Sequence, residues 1–228
     1  MAQIDENNVP AANQLRPDQR ITYILPENKG LRVMFVGNSI TCHGPSEALG
    51  WPHHWGMSAS KKENDYVHKC MAHIQKTYPD ATFCICHAGQ WELNYRNAET
   101  VIDQFEAARE FGADVIFMRT VENCARKELV AEEFMEQYGA FVDFLNSTGK
   151  AQIVISTSFW KHPADDAIRA FAAQRGYPLC ELSDLGELAE MKAYGLFEHR
   201  GVAAHPGDLG MANIAQRLCE TWEKAYQK

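Results

Sequence analysis

The feature that most constrains the fold is the alternation of short apolar runs with helical patterns. Apolar runs of five or six residues occur at 31–36, 82–87, 114–118, 152–157 and, more weakly, 178–182. Helical patterns lie near 64–77, 97–110, 128–147, 163–175 and 208–226. The runs are nearly continuous and rich in β-branched or aromatic residues, as in strands buried on both faces by crossover helices. The alternation predicts a three-layer α/β/α domain with a flavodoxin-like, five-stranded parallel sheet.

Length and proline placement suggest how the chain is divided. The 228 residues, 46% of them hydrophobic, are enough for one α/β domain with a sizeable core, which we assign to residues 30–228. Residues 1–29 contain Pro10, Pro17 and Pro26, which discourage a long helix. This part of the chain is predicted to be an N-terminal arm or an irregular lead-in.

Charge and hydropathy exclude several classes of partner. A formal net charge of −8 argues against general affinity for nucleic acid or anionic membranes. No run reaches the roughly 18 apolar residues typical of a spanning helix. The start of the chain lacks the basic-then-apolar order of a signal peptide, which predicts a cytoplasmic protein, with export left open if a leader has been removed.

Cysteine usage agrees with a reducing compartment. The chain has seven cysteines, an odd number, and Cys84, Cys86 and Cys180 lie inside apolar runs. Buried free thiols are the preferred interpretation, and a partial disulfide set is the alternative.

Four segments carry residue types suited to catalysis. Three follow a predicted strand and one precedes the last helix: Gly37-Asn38-Ser39-Ile40, His87-Ala88-Gly89-Gln90, Arg119-Thr120-Val121-Glu122-Asn123 and His205-Pro206-Gly207-Asp208. Open α/β sheets bind ligands at the carboxyl ends of their strands. Each segment alone has an ordinary alternative, because serine and asparagine cap helices, glycine punctuates turns, and loop histidines are common.

Together these segments resemble the sequence blocks of the SGNH (GDSL-like) hydrolases, a family of esterases and lipases. Gly37-Asn38-Ser39 is similar to the first block, with Asn38 where aspartate is commoner. Gly89, Asn123 and His205 match the glycine, asparagine and histidine of the later blocks, in the same order. The resemblance covers residues 31–226.

The resemblance implies a role for each matching residue. Ser39 would attack an ester carbonyl, and His205 would take its proton and return it to the leaving alcohol. The Ser39 and Gly89 backbone N–H groups and the Asn123 side-chain amide would stabilise the resulting oxyanion. This chemistry needs neither a metal nor another cofactor.

One position departs from the family pattern. The aspartate expected three residues before the histidine is replaced by Val202, which cannot accept a hydrogen bond. Either a backbone carbonyl orients His205 in a Ser-His dyad, or another carboxylate does so, with Glu198 and Asp184 as candidates. A relative that binds carbohydrate without turnover is a further alternative, because loss of a triad acid can cost around ten-thousandfold in rate.

A long loop over residues 41–63 is the expected source of specificity, because connections of this length are usually functional. Aromatic faces beside hydrogen-bonding groups suit a sugar ring, and packing on the domain surface or in a homo-oligomer contact is the alternative. The candidate substrate-binding residues are Asn38, Trp51, His53, Trp55, Trp91 and Trp160.

These observations favour a serine esterase that removes a small acyl group, with acetyl as the preferred group, from a carbohydrate or similar polar metabolite. Hydrolysis of longer acyl chains, as by a lipase or thioesterase, is the runner-up. Zinc-dependent hydrolysis would have to use His43, His53, His54 and Glu47, but adjacent histidines rarely share one ion. The expected partner is an ester substrate, with no nucleic acid, membrane, metal or cofactor.

Overall fold

A six-stranded sheet forms the centre of the protein. The structure, a computed structural model, describes residues 21–24, 30–127 and 129–226. The strands are β1 (Ile21–Ile24), β2 (Arg32–Gly37), β3 (Thr82–His87), β4 (Val115–Arg119), β5 (Gln152–Ser156) and β6 (Leu179–Cys180). Their spatial order is β1-β3-β2-β4-β5-β6, and β2 to β6 are parallel. The α/β/α architecture is therefore confirmed.

Seven α-helices accompany the sheet in the described part of the chain. They are α1 (Tyr66–Ile74), α2 (Gly89–Asn94), α3 (Glu106–Phe111), α4 (Ala131–Leu145), α5 (Asp165–Arg175), α6 (Arg200–Ala203) and α7 (Asp208–Tyr226). Short 3₁₀ segments occupy several of the loops. The expected single helix over 97–110 is wrong: 3₁₀ turns precede α3, and Asn97 has a backbone conformation outside the helical region.

The sheet has one strand more than expected. β1 lies inside the segment assigned as an irregular lead-in and pairs antiparallel with β3, with Ile21 opposite Cys86. Four residues at a sheet edge give too short a pattern to be recognised in the sequence, and they pair with a strand that begins at Thr82, far along the chain. The rest of the 1–29 assignment lies outside the described residues.

Successive side chains of each strand point to opposite faces of the sheet, so a hydrophobic core forms on each face. Val33 and Phe35 of β2 pack with α1 and α7 on one face, whereas Met34 and Val36 pack with α4 and α5 on the other. Burial of apolar surface, at about 25 cal/mol per Å², holds both helix layers on the sheet. All seven cysteines are described and buried, and none forms a disulfide.

The topology brings the three strand-end segments to one edge of the sheet. Gly37, the last residue of β2, is in register with His87 at the end of β3 and with Arg119 at the end of β4. A Cβ at Gly37 would lie 1.9 Å from Thr41 Oγ1 and 2.8 Å from the Arg119 carbonyl oxygen, so only glycine fits here. Among the described helices, none is both long and apolar enough to span a bilayer.

Candidate active site

Ser39 and His205 form a hydrogen-bonded pair at this edge. Ser39 lies two residues beyond β2, and His205 lies in the turn between α6 and α7. The Ser39 Oγ–His205 Nε2 distance is 2.8 Å. Burial lowers the pKa of His205 to about 4, so the imidazole is neutral near pH 7 and able to accept a proton.

A backbone carbonyl holds the other ring nitrogen. His205 Nδ1 lies 2.7 Å from the Gly201 carbonyl oxygen. Because a carbonyl can only accept, Nδ1 carries the hydrogen and Nε2 presents its lone pair to the Ser39 hydroxyl. Val202 is buried, so the position of the missing aspartate belongs to the core.

Neither carboxylate candidate contacts His205. Glu198 is exposed. Asp184 forms a bidentate ion pair with Arg217, at 2.5 and 2.8 Å. Support of the imidazole by Glu198 or Asp184 is therefore wrong, and the alternative of a backbone carbonyl agrees with the geometry.

A cleft of about 320 Å³ opens in front of the pair. Ser39, His205, Gly89 and Asn123 all line it. Gly89 is the first residue of α2, and its backbone N–H, which has no partner within the helix, donates to His87 Nδ1 at 3.4 Å. The other residues lining the cleft are His43, Leu49, Met57, His87, Gln90, Leu93, His199, Gly201 and Val202.

Comparison with known proteins gives a structural likeness only. No family model and no curated protein matches the chain. A two-domain esterase active on acetylated mannans has a TM-score of 0.58 at 20% identity, over 88% of this chain and 50% of its own. A family two carbohydrate esterase from Cellvibrio japonicus has a TM-score of 0.57 at 15% identity, over 88% of this chain and 62% of its own.

A shorter protein matches over nearly its whole length. This member of the lipolytic G-D-S-L family, from Veillonella parvula DSM 2008, has a TM-score of 0.52 at 12% identity, over 84% of this chain and 97% of its own. The fold is that of these solved structures. It confirms the architecture that the sequence resemblance implied, and the chain spans only about half to two thirds of the two carbohydrate esterases.

Beneath the cleft lies a buried polar network that the sequence did not reveal. Arg119 is buried and pairs with Glu122, and its Nη2 donates to Asn38 Oδ1 at 2.6 Å. Asn38 Nδ2 in turn donates to Glu122 Oε2 at 2.5 Å and to Glu92 Oε1 at 2.8 Å. Glu92 Oε2 accepts from Asn123 Nδ2 at 2.5 Å. The network therefore connects the residue next to Ser39 with the proposed oxyanion amide.

The two carboxylates of this network titrate differently. Burial, together with the neighbouring Glu122 charge, raises the pKa of Glu92 to about 7. Burial also acts to raise the pKa of Glu122, but the Arg119 guanidinium and the Phe159 backbone N–H outweigh it, and the Glu122 pKa lies below its usual value. The only sequence signal for this network was the presence of charged residues next to apolar segments.

Contrary to expectation, none of the six candidate substrate-binding residues lines this cleft. Trp51, Trp55 and Trp91 are buried in the two cores, where they contribute large apolar surfaces. Trp51 Nε1 donates to the His43 carbonyl oxygen, and Trp55 Nε1 donates to that of Ala59.

The remaining candidates, His53, Trp160 and Asn38, contact other residues of the protein. His53 stacks on Trp55 with ring centroids 4.0 Å apart. Trp160 Nε1 donates to the Ala204 carbonyl oxygen, and its ring meets His205 edge-on. Asn38 is fully buried in the polar network. Spacing in the sequence could not distinguish an aromatic residue facing the cleft from one facing the core.

The loop over residues 41–63 instead supports the segment that carries His205. Ser58 Oγ donates to the Val202 carbonyl oxygen at 2.6 Å, and Ser60 donates to Asp208 at the start of α7. The same loop contributes His43, Leu49 and Met57 to the cleft. In the described part of the chain no three His, Cys, Asp or Glu side chains are grouped to hold a metal, so the zinc arrangement in this loop is not formed.

Proposed function

We propose that this chain is a serine esterase that acts through an acyl-enzyme on Ser39. The observation that carries the proposal is the pair of hydrogen bonds that the His205 imidazole makes, to Ser39 Oγ at 2.8 Å and to the Gly201 carbonyl oxygen at 2.7 Å. The proposed nucleophile is thus hydrogen-bonded to the proposed base, and the base to its orienting carbonyl, at the wall of an open cleft.

In the first half-reaction Ser39 Oγ attacks the ester carbonyl carbon while His205 Nε2 takes the hydroxyl proton. The carbonyl oxygen becomes an oxyanion, for which the Ser39 and Gly89 backbone N–H groups and the Asn123 amide are the donors. Collapse of the intermediate breaks the bond to the alcohol oxygen, which receives the proton from His205. Water then attacks the acyl-enzyme by the same route, releasing the carboxylic acid and restoring Ser39.

The residues that line the cleft favour a substrate with a small acyl group on a polar alcohol. Hydrogen-bonding groups around Ser39 are supplied by His43, His87, His199 and the Gln90 amide. His199 Nδ1 accepts from the Val202 N–H at 3.3 Å, which leaves its Nε2 as a donor. The apolar lining is limited mainly to Leu49, Met57, Leu93 and Val202. Two solved structures of this fold, described above, are carbohydrate esterases.

A chain-length series of 4-nitrophenyl esters, followed by acetylated monosaccharides and oligosaccharides, tests both the reaction and the substrate. We expect turnover to be highest with acetate and to fall towards octanoate. The Ser39→Ala and His205→Ala variants should lose at least about a thousandfold in kcat. His73→Ala is the matched control, because His73 pairs with Glu223 outside the cleft.

The outcomes separate the competing functions. Turnover that rises with chain length would indicate a lipase- or thioesterase-like enzyme. Wild-type turnover retained in Ser39→Ala would overturn the nucleophile assignment. Binding of acetylated sugars without turnover would indicate a non-catalytic carbohydrate-binding protein.

A further inference from the structure

Glu92 is a fully buried carboxylate to which the reaction above assigns no role. It lies on α2, three residues after Gly89, and both of its oxygens accept hydrogen bonds. Oε1 accepts from Asn38 Nδ2 at 2.8 Å and from the Val121 N–H at 2.5 Å. Oε2 accepts from Asn123 Nδ2 at 2.5 Å and from the Asn123 N–H at 3.3 Å.

These donors come from the segments that surround the proposed oxyanion. Asn38 precedes the nucleophile Ser39, Asn123 is the proposed amide donor, and Gly89 begins the helix that carries Glu92. A single carboxylate therefore connects the ends of β2, β3 and β4. Changing it would alter the relative placement of these donors, while Ser39 and His205 keep their own hydrogen bond.

The orientation of the Asn123 side chain depends on its hydrogen bond to Glu92. Asn123 is exposed in a loop, and among the described residues Glu92 is the hydrogen-bond partner of its amide. A primary amide has two hydrogens on its nitrogen, so one can bind Glu92 while the other remains for the cleft that Asn123 lines. Without an acceptor below it, the amide is free to rotate or to turn its oxygen towards the substrate.

We infer that Glu92 is a positioning residue, whose carboxylate fixes the Asn123 amide so that its second hydrogen donates to the oxyanion. Glu92 does not touch the substrate and acts through Asn123. The inference rests on the proposed esterase activity and adds a residue that the four sequence segments do not include.

The donor set also explains why a carboxylate is needed. All four contacts of Glu92 are N–H groups that donate, so both oxygens must accept. Glutamine has the same shape, but it would present an NH₂ group to one pair of these donors. Glu92→Gln therefore removes half of the acceptor capacity with little change in volume.

A double-mutant cycle with Asn123→Ala tests the inference, using acetate release from 4-nitrophenyl acetate. Removal of one oxyanion donor costs about a hundredfold or more in kcat, which we expect for Asn123→Ala. Glu92→Gln should also lower kcat by tenfold to a hundredfold, with KM changed less than about threefold. The double variant should be no more than about threefold slower than Asn123→Ala alone. Glu99→Gln, which changes an exposed glutamate in the 3₁₀ segment after α2, serves as the matched control.

Independent losses that multiply in the double variant would overturn the inference, as would full kcat in Glu92→Gln. If Glu92→Gln does not fold, Glu92→Asp keeps the charge with a shorter reach, and its loss should likewise disappear in the Asn123→Ala background. Failure of the proposed function is a separate result, seen as absent wild-type turnover or as full turnover in Ser39→Ala.

Discussion

The pH dependence of turnover tests whether Glu92 and His205 have the separate roles assigned to them. Both must be deprotonated for activity, His205 to accept a proton and Glu92 to hold Asn123. Glu92, with a pKa raised to about 7 by burial and Glu122, is ionised above that pH. His205, with a pKa lowered to about 4 by burial, is neutral above that value. The loss of wild-type activity on the acid side of the pH profile should therefore follow the protonation of Glu92.

The charges around Glu92 are consistent with this assignment. Glu122 disfavours its ionisation, and the buried Arg119 favours it. The neighbouring thiol of Cys124 and phenol of Tyr138 have raised pKa values and are neutral near pH 7. Glu92 is thus the group of this cluster whose charge changes near neutrality.

The expected size of the effect follows from these two values. At pH 5 about one hundredth of Glu92 is ionised, whereas about nine tenths of His205 is neutral. If protonated Glu92 leaves about one hundredth of the full rate, wild-type kcat/KM falls about fiftyfold between pH 8 and pH 5. In Glu92→Gln the rate is low throughout and should change by only about 10% over the same range, since only His205 still titrates.

The measurement is kcat/KM for an acetyl ester, followed by acetate release because the absorbance of nitrophenol itself depends on pH. Wild type and Glu92→Gln are compared, with Glu99→Gln as the control. If Glu92→Gln shows the same fall in kcat/KM at acid pH as wild type, the role of Glu92 is refuted. A fall in kcat/KM near pH 6.5 in that variant would show that His205 titrates like an ordinary exposed histidine, against the reasoning from burial.

Three further variants test the surroundings of the site. Glu198→Gln should change kcat less than about twofold, because the carboxylate does not contact His205, and steady-state kinetics would show a larger loss if it did. Arg119→Met should lower the free energy of unfolding in urea by about 3–5 kcal/mol, since it leaves Glu122 buried without its partner, and an unchanged midpoint would contradict this. Trp51→Ala should lower the melting temperature through loss of core packing, and a rise in KM without a loss of stability would restore Trp51 as a cleft residue.

The sequence was sufficient for the layers of the fold because continuous apolar runs identify strands covered on both faces. It also placed Ser39, Gly89, Asn123 and His205 in segments that the structure brings to one cleft. The short edge strand β1 escaped detection because its burial depends on pairing with β3. Pairing between distant segments leaves no local pattern.

The same limit explains the errors at the site. Trp51 and Trp91 have the chemistry of sugar-binding residues. Their side chains nevertheless point into the two hydrophobic cores, where they are buried. The link between Glu92 and Arg119 through Asn38 was missed because Glu92 lies on α2 and Arg119 at the end of β4. Their importance is visible only where the ends of β3 and β4 meet.

The replacement of the expected aspartate by Val202 has a consequence for the chemistry. A carboxylate beside His205 would favour the imidazolium and raise the histidine pKa. The neutral Gly201 carbonyl orients the ring at 2.7 Å and only partly offsets the effect of burial on the pKa. His205 is therefore a weaker base than in a triad, but one that stays unprotonated in mildly acidic solution. Such a dyad depends more on stabilisation of the oxyanion, because less of the barrier is removed by proton transfer. This dependence is the reason that a buried carboxylate holding Asn123 should have a large effect on turnover.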